Sequence, residues 1–313
     1  MNSFGHRISE LTKEDERILR EYFAGFDYRG ASYTFLATYI WKDDYEICWD
    51  VIEGYLCMVY CMTGENARYG PAMSMPLTKD GTYDPERLRR ALLECRRRFE
   101  QEGLPLTVRN IPAHLADVMR EAVGSEGELV RIPYADEYVY LKDKLIDLSG
   151  RALHKKKNHL NFFLRSYEYE VRPVVPEMKQ EIMELSDRIK ELKENDPDEV
   201  DDLEEEHNAL NNMIDMAGSE EVYSAAVFIG GRLEAFALGE LISGEMAAEH
   251  FEKANSSYRG LYQLVCREFC KALPESVIYV NREEDMGLPN LRQAKEALKP
   301  DHMEERYVFK FVS

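Results

Sequence analysis

His250 and Glu252 stand two residues apart in the run EMAAEHFEKA. A side chain repeats its direction every second residue along a strand, so this spacing predicts an imidazole and a carboxylate on one face. Either group can take a proton from an attacking nucleophile; a cross-strand ion pair with a facing arginine is the alternative. The run then gives way to small polar residues and Arg259-Gly260, and an amphipathic helix begins at once. First-turn amides of a helix lack intrahelical partners and carry partial positive charge. Glycine admits a phosphate close to the backbone, and arginine adds a charge-assisted fork. The junction reads either as a cradle for an anionic group or as an ordinary strand-to-helix turn. Tyr262, at the helix start, is a candidate general acid or an aromatic lid.

Two further segments carry charge. NREEDMG ends a short apolar run, and its Asn281 and Asp285 are candidates to hold a cationic amine, with helix capping as the competing role. Arg292 and Lys295 follow three residues apart, placed to pair with Asp285 or Glu283. HKKKN sets Lys155, Lys156 and Lys157 in succession, fanning over about 200° of a helix. Lys156 and Asn158 are therefore candidate substrate contacts for a phosphate-rich partner, against a solvated helix face. Six cysteines show no CxxC pair and the histidines are scattered, so reduced buried thiols are expected and no metal site.

The elements that must position these groups recur. In the second half a helix (GRALHKKKNHLNFFLRSY) precedes EVYSAAVFI and RLEAFALGEL, which Gly230-Gly231 joins as a hairpin. A third strand, a helix, a short strand, a helix and a closing alternating strand, EERYVFKFV, follow. The first half repeats this order: helices, three strands, the long helix DPERLRRALLECRRRFEQEG, the strand PLTVRNIP, a helix and the strand EYVYLKD. An α/β (α+β) architecture of two similar domains is expected, 1–145 and 146–313, with mixed, mostly antiparallel sheets flanked by helices. Between residues 176 and 221 lie seventeen acidic and four basic residues. Ile182, Leu185, Ile189 and Leu192 make one apolar stripe, and Val200, Leu203, Leu210 and Met213 a returning partner. An inserted acidic helical hairpin over 176–217 is expected.

The segments LSGRALHKKKNHLNFFLRSYEYE, AEHFEKANSSYRGLYQLV and YVNREEDMGLPNLRQAKEALKP together resemble a bacterial family named for the C-terminal domain of phosphatidylglycerol lysyltransferase. YTFLATYIWKDDYEICW resembles that family's usual opening, so the resemblance covers nearly the whole chain. It implies two tandem acyl-CoA N-acyltransferase-like domains, with pantetheine in the gap where two strands splay. It also implies a pyrophosphate site, which would fall on Lys253, Arg259, Gly260, Leu261 and Tyr262, although this loop has one glycine where the family fold usually has several. On that reading Glu252 is the first choice for the base that deprotonates an amine, with His250 and Tyr262 beside it. The function expected first is acyl transfer from acyl-coenzyme A to an amine. Aminoacyl-tRNA as donor, and a non-catalytic ligand- or partner-binding module, are the alternatives.

Net charge is −19, but outside residues 176–221 it is only −6, so it excludes no site on the remainder. No run of about eighteen apolar residues occurs and the first residues lack an apolar signal core, so a cytoplasmic protein without a membrane span is expected.

Overall fold

The computed structural model describes residues 3–62, 70–194 and 206–312. They form two compact units, one of residues 1–136 with 304–313, the other of residues 137–303.

The first unit holds β1 (His6–Arg7), α1 (Lys13–Ala24), α2 (Phe35–Ile40), β2 (Tyr45–Ile52), β3 (Tyr55–Met62) and β4 (Ala72–Ser74). It continues with α3 (Pro85–Gln101), β5 (Thr107–Pro112), α4 (Ala116–Val123) and β6 (Gly127–Arg131). The strand order is β1-β2-β3-β4-β5, then the C-terminal strand Arg306–Phe311, then β6. Among the described residues of this sheet, only β4 and β5 run parallel. Thr12 opens α1 with a reciprocal capping box to Asp15, and Asp84 caps α3 ahead of Pro85.

The second unit holds β7 (Glu137–Leu141), α5 (Lys142–Asp147), α6 (His154–Ser166), β8 (Tyr169–Arg172), α7 (Lys179–Glu194) and α8 (Glu206–Asp215). It continues with β9 (Val222–Ile229), β10 (Arg232–Leu241), β11 (Met246–Ala254) and α9 (Leu261–Ala272). β12 (Tyr279–Asn281), α10 (Pro289–Glu296) and β13 (His302–Glu304) follow, and Arg306–Phe311 is β14. The sheet order is β13-β7-β12-β11-β10-β9-β8, and here β11 and β12 run parallel. β10 meets α9 and α7, which is why RLEAFALGEL is buried at almost every position instead of alternating.

The fold class is as expected: two mixed, mostly antiparallel sheets flanked by helices. The boundary differs. EYVYL, expected to close the first half, pairs with β12 in the second sheet, and RYVFKF, expected to close the second, pairs with β5 and β6 in the first. Each run alternates well enough to suit either sheet, and only long-range pairing decides between them.

Within the expected insertion lie two helices, α7 and α8, with Ile182, Leu185, Ile189, Leu210 and Met213 buried. The side chain of Leu192, and Val200 and Leu203, lie outside the described residues. All six cysteines are free thiols. No helix among the described residues is long and apolar enough to cross a membrane.

Candidate active site

β11 and β12 pair over three residues, from Met246↔Tyr279 to Ala248↔Asn281. Beyond that point β11 continues beside β10 as far as Ala254, while the chain after β12 bonds to β7 through Arg282 N to Tyr138 O. A gap therefore opens between β11 and the segment after Asn281, as a splayed pair requires.

The side chains in the gap depend on one irregularity. Leu238 opposes Phe251 and the next residue, Gly239, opposes Glu249, so His250 is an extra residue bulged out of β11. Gly239 suits this place: a Cβ there would lie 2.0 Å from Ala248 O and 2.6 Å from the Phe269 ring of α9. The bulge breaks the two-residue period. Glu249 and Glu252, three apart, come together on Arg282, whereas His250 turns to Glu240 and Glu283. The shared face predicted for His250 and Glu252 is thereby corrected.

Arg282 Nη2 lies 2.9 Å from Glu252 Oε2, and its Nε pairs with Glu249. Burial pushes the Glu249 carboxyl well above the usual range, with Glu252 adding to the rise and Arg282 opposing it. Glu249 is 1 % exposed at its side chain and Glu252 12 %, so Glu252 is the more accessible carboxylate. Cys266 completes a group whose ligand atoms lie within 4.8 Å of one another with those of Glu249 and Glu252. The Arg282 guanidinium already supplies positive charge to these carboxylates.

His250 donates into a second pair of carboxylates, Nε2 3.0 Å from Glu240 and Nδ1 2.7 Å from Glu283. Burial disfavours its charge, but the two bonds outweigh burial and push its pKa up to about 10. At neutral pH it is an imidazolium, so it serves as a clamp and not as a base. Glu283 holds its end of this clamp at a φ of 59°, a conformation rare for a side-chain-bearing residue.

Of the lysine run, Lys156 is the inward member; Lys155 and Lys157 are exposed. Burial, then Arg282, lowers the Lys156 pKa, while Glu252 opposes the fall, so this ammonium feels both charges of the splay. Asn158 is exposed, its side-chain amide 3.4 Å from His154 Nδ1.

The expected cofactor turn is closed from behind. Gly260 has φ 96°, and a Cβ there would sit 2.2 Å from the His159 carbonyl oxygen of α6. The glycine is thus demanded by left-handed backbone and by close approach of two helices. α9 starts without a side-chain cap, yet Leu261 is fully buried and its amide bonds to Tyr258 O at 3.0 Å. Arg259 is exposed with its guanidinium 5.1 Å from the Phe162 ring. Lys253 faces α7 and α8 instead, bonded to Ser186 at 2.9 Å and paired with Glu206 at 3.3 Å. Tyr262 is half-buried against the core of this unit.

Asn281 and Asp285 are structural. Fully buried Asn281 donates to Glu137 at 2.5 Å and accepts from the Glu283 amide. Asp285 accepts from Tyr138, from Arg292 at 2.7 and 3.1 Å, and from the Gly287 amide, leaving little acceptor capacity for a substrate amine. The expected Arg292–Asp285 pair is present. Sequence reasoning missed Glu249, Arg282 and Glu240, and took Glu283 only as a partner for Arg292 or Lys295. Two of them sit inside NREEDMG, whose unbroken charge was the available signal.

The family described as phosphatidylglycerol lysyltransferase, C-terminal, matches residues 23–310. A conserved protein of unknown function from Bacteroides thetaiotaomicron is 25% identical, with a TM-score of 0.83 over 97% of this chain and 98% of that one. L-PGS from Bacillus licheniformis is similar at 13% identity and TM-score 0.61, covering 96% of this chain and 92% of that one. FemX aligns at 8% identity and TM-score 0.65, covering 97% and 96%. A tandem GNAT protein from the clavulanic acid pathway aligns at 11% and 0.53, covering 96% and 95%. Among curated proteins, the uncharacterised MYCGA3080 of Mycoplasmoides gallisepticum is 22% identical over 177 residues, which span 56% of either chain.

Proposed function

From the premise that the chain belongs to the phosphatidylglycerol lysyltransferase C-terminal family, we propose that it is an aminoacyltransferase whose donor is an aminoacyl-tRNA. The acceptor is an amine or hydroxyl that enters the splay between β11 and the segment after β12. The expectation of acyl-coenzyme A as first-choice donor gives way to the alternative.

One observation carries this reading. Glu252, Arg282 and Lys156 gather at the splay, while the turn expected to cradle a pyrophosphate has its single glycine packed against α6. Transfer from an ester needs a base, a charge for the oxyanion and a proton for the leaving oxygen. Glu252 takes the proton from the attacking nitrogen or oxygen as its bond to the carbonyl carbon forms. The oxyanion develops beside the Lys156 ammonium and the Arg282 guanidinium. Collapse breaks the bond to the ribose oxygen, which recovers the proton from Glu252, so protons and electron pairs balance. Burial pushes the Glu249 carboxyl well above the usual range, which weighs against a second negative charge beside the oxyanion.

The test uses tRNA charged with labelled amino acids, with phosphatidylglycerol vesicles and amine-bearing peptides as acceptors. Glu252→Gln is expected to lower transfer by about 10²–10⁴-fold, the usual worth of a positioned base, and to leave tRNA affinity within twofold. Unchanged transfer in the variant ends the assignment of Glu252. The parallel arm is thermal shift with coenzyme A, where a ligand at 100-fold excess over its Kd adds about 2.7 kcal/mol. Stabilisation there, with no label leaving tRNA, returns the protein to the acyl-coenzyme A reading.

A further inference from the structure

Many of the helix cations on this protein are matched by carboxylates one turn away. On α3, which reads as a basic helix, Arg96 pairs with Glu100, Arg97 with Glu94, and Arg98 with both Glu94 and Asp50. On α1, Arg17 and Arg20 are likewise held by Glu14, Glu21 and Glu16. Among the described residues, scattered cations such as Lys13, Lys144 and Lys299 are also exposed and in no ion pair, but at α6 two come together: Lys155 on the helix and Arg259 on the turn packed against it, both exposed and in no ion pair, in a chain of net charge −19.

The fold brings these two together. Gly260 seats the α9 turn against the carbonyl of His159, and Arg259 beside it lies over Phe162. Lys155, His159 and Phe162 follow at i, i+4 and i+7, one stripe of the helix. Burial, then Arg259, Lys155 and Lys156, all lower the His159 pKa, with no carboxylate opposing them. Phe162 is 38 % exposed, a flat apolar face next to a guanidinium. At the inner edge of the patch, Lys156 leads to Glu252 and Arg282.

We propose that the stripe Lys155–His159–Phe162 and the adjoining Arg259 form the docking surface for a single RNA strand, whose phosphates meet the cations while a base stacks on Phe162. The inference rests on the aminoacyl-tRNA reading above and gives it a place: the strand enters along α6 and delivers its terminal ester to the splay. Unpaired cations spaced along a helix beside one exposed aromatic are what single-stranded RNA recognition uses. An anionic bilayer fits less well. It would lie against a wide area of an acidic protein, and the patch offers one apolar side chain to insert.

The experiment measures binding of bulk deacylated tRNA by the full chain from 50 to 200 mM salt. Lys155→Gln with Arg259→Gln is expected to weaken binding about tenfold at the low end. It should lower the slope of log K against log salt by about 1.4, at roughly 0.7 per single-strand phosphate contact. Phe162→Ala weakens binding and leaves the slope unchanged. Arg96→Gln with Arg97→Gln on α3 alters neither, and unchanged thermal melting of every variant shows that all are folded. Wild-type protein that fails to bind tRNA, or a Lys155/Arg259 variant that binds with wild-type affinity and slope, overturns the proposal. So does loss of binding to phosphatidylglycerol vesicles with tRNA binding intact. Deacylated tRNA separates the two readings. Patch-dependent binding without transfer from charged tRNA supports the docking surface and sinks the activity; transfer with unchanged KM in the variant sinks the docking surface alone.

Discussion

The two sheets share a layout and differ in what fills it. Both run through antiparallel strands to one parallel neighbour, β4 beside β5 in the first unit and β11 beside β12 in the second. The strand before that neighbour carries fully buried Met73 in the first unit, backed by Met58, Val59 and Met75. The corresponding strand of the second unit carries Glu249, His250 and Glu252, re-aimed by a bulge. The helices that follow differ in the same sense. α3 is capped by Asp84, whose side chain accepts from the Arg87 amide at 2.8 Å. α9 starts at Gly260 with no side-chain cap. Topology alone thus provides a parallel pair in each sheet; a bulge and a cluster of charged side chains are what distinguish the second.

The contrast breaks most readily at Arg282. Arg282→Met leaves Glu249 and Glu252 without their counter-charge, and a loss of about 3–5 kcal/mol is expected from urea unfolding at pH 7. A loss below 1 kcal/mol would mean that the second parallel pair is no more electrostatic than the first. His250 comes next. Its pKa rises from 6.5 to about 10 on folding, so its contribution is complete below pH 6.5 and disappears as pH climbs through 10. The stability gap between wild type and His250→Asn is expected to be about 2–4 kcal/mol near neutrality, because each tenfold gain in proton affinity on folding is worth at most about 1.4 kcal/mol. It should close above pH 10; a gap independent of pH would show that the imidazolium is not what holds the clamp.

The helix starts give the smaller effects. Gly260→Ala is expected to cost about 2 kcal/mol or more, because a left-handed residue with a Cβ loses about 1–2 kcal/mol and this one also meets the His159 carbonyl. Asp84→Ala should cost about 1 kcal/mol, the ordinary worth of a cap. If thermal melting ranks Asp84→Ala above Gly260→Ala, the Gly260 turn is looser than its contact with α6 implies.

Helices and strands were legible in the chain because periodicity and caps are local. Lys156 stood out as a candidate in its lysine run, and the Arg292–Asp285 pair lay within one short segment. His250 was misplaced for a physical reason: alternation assumes an unbroken ladder, and a bulge one residue long inverts the face of everything beyond it. Asn281 and Asp285 drew attention as polar side chains at a strand end. Their hydrogen-bond partners Glu137 and Tyr138 lie on β7, more than 140 positions away.

By itself the amino-acid order determined the elements, the acidic insertion and the family pattern, since each rests on neighbours within a few turns. Tertiary structure alone decided which sheet β7 and β14 complete, which of several carboxylates meets Arg282, and why residue 260 must be glycine. Those outcomes depend on long-range hydrogen-bond pairing and on the close approach of α6 to α9, contacts between residues that the chain itself holds far apart.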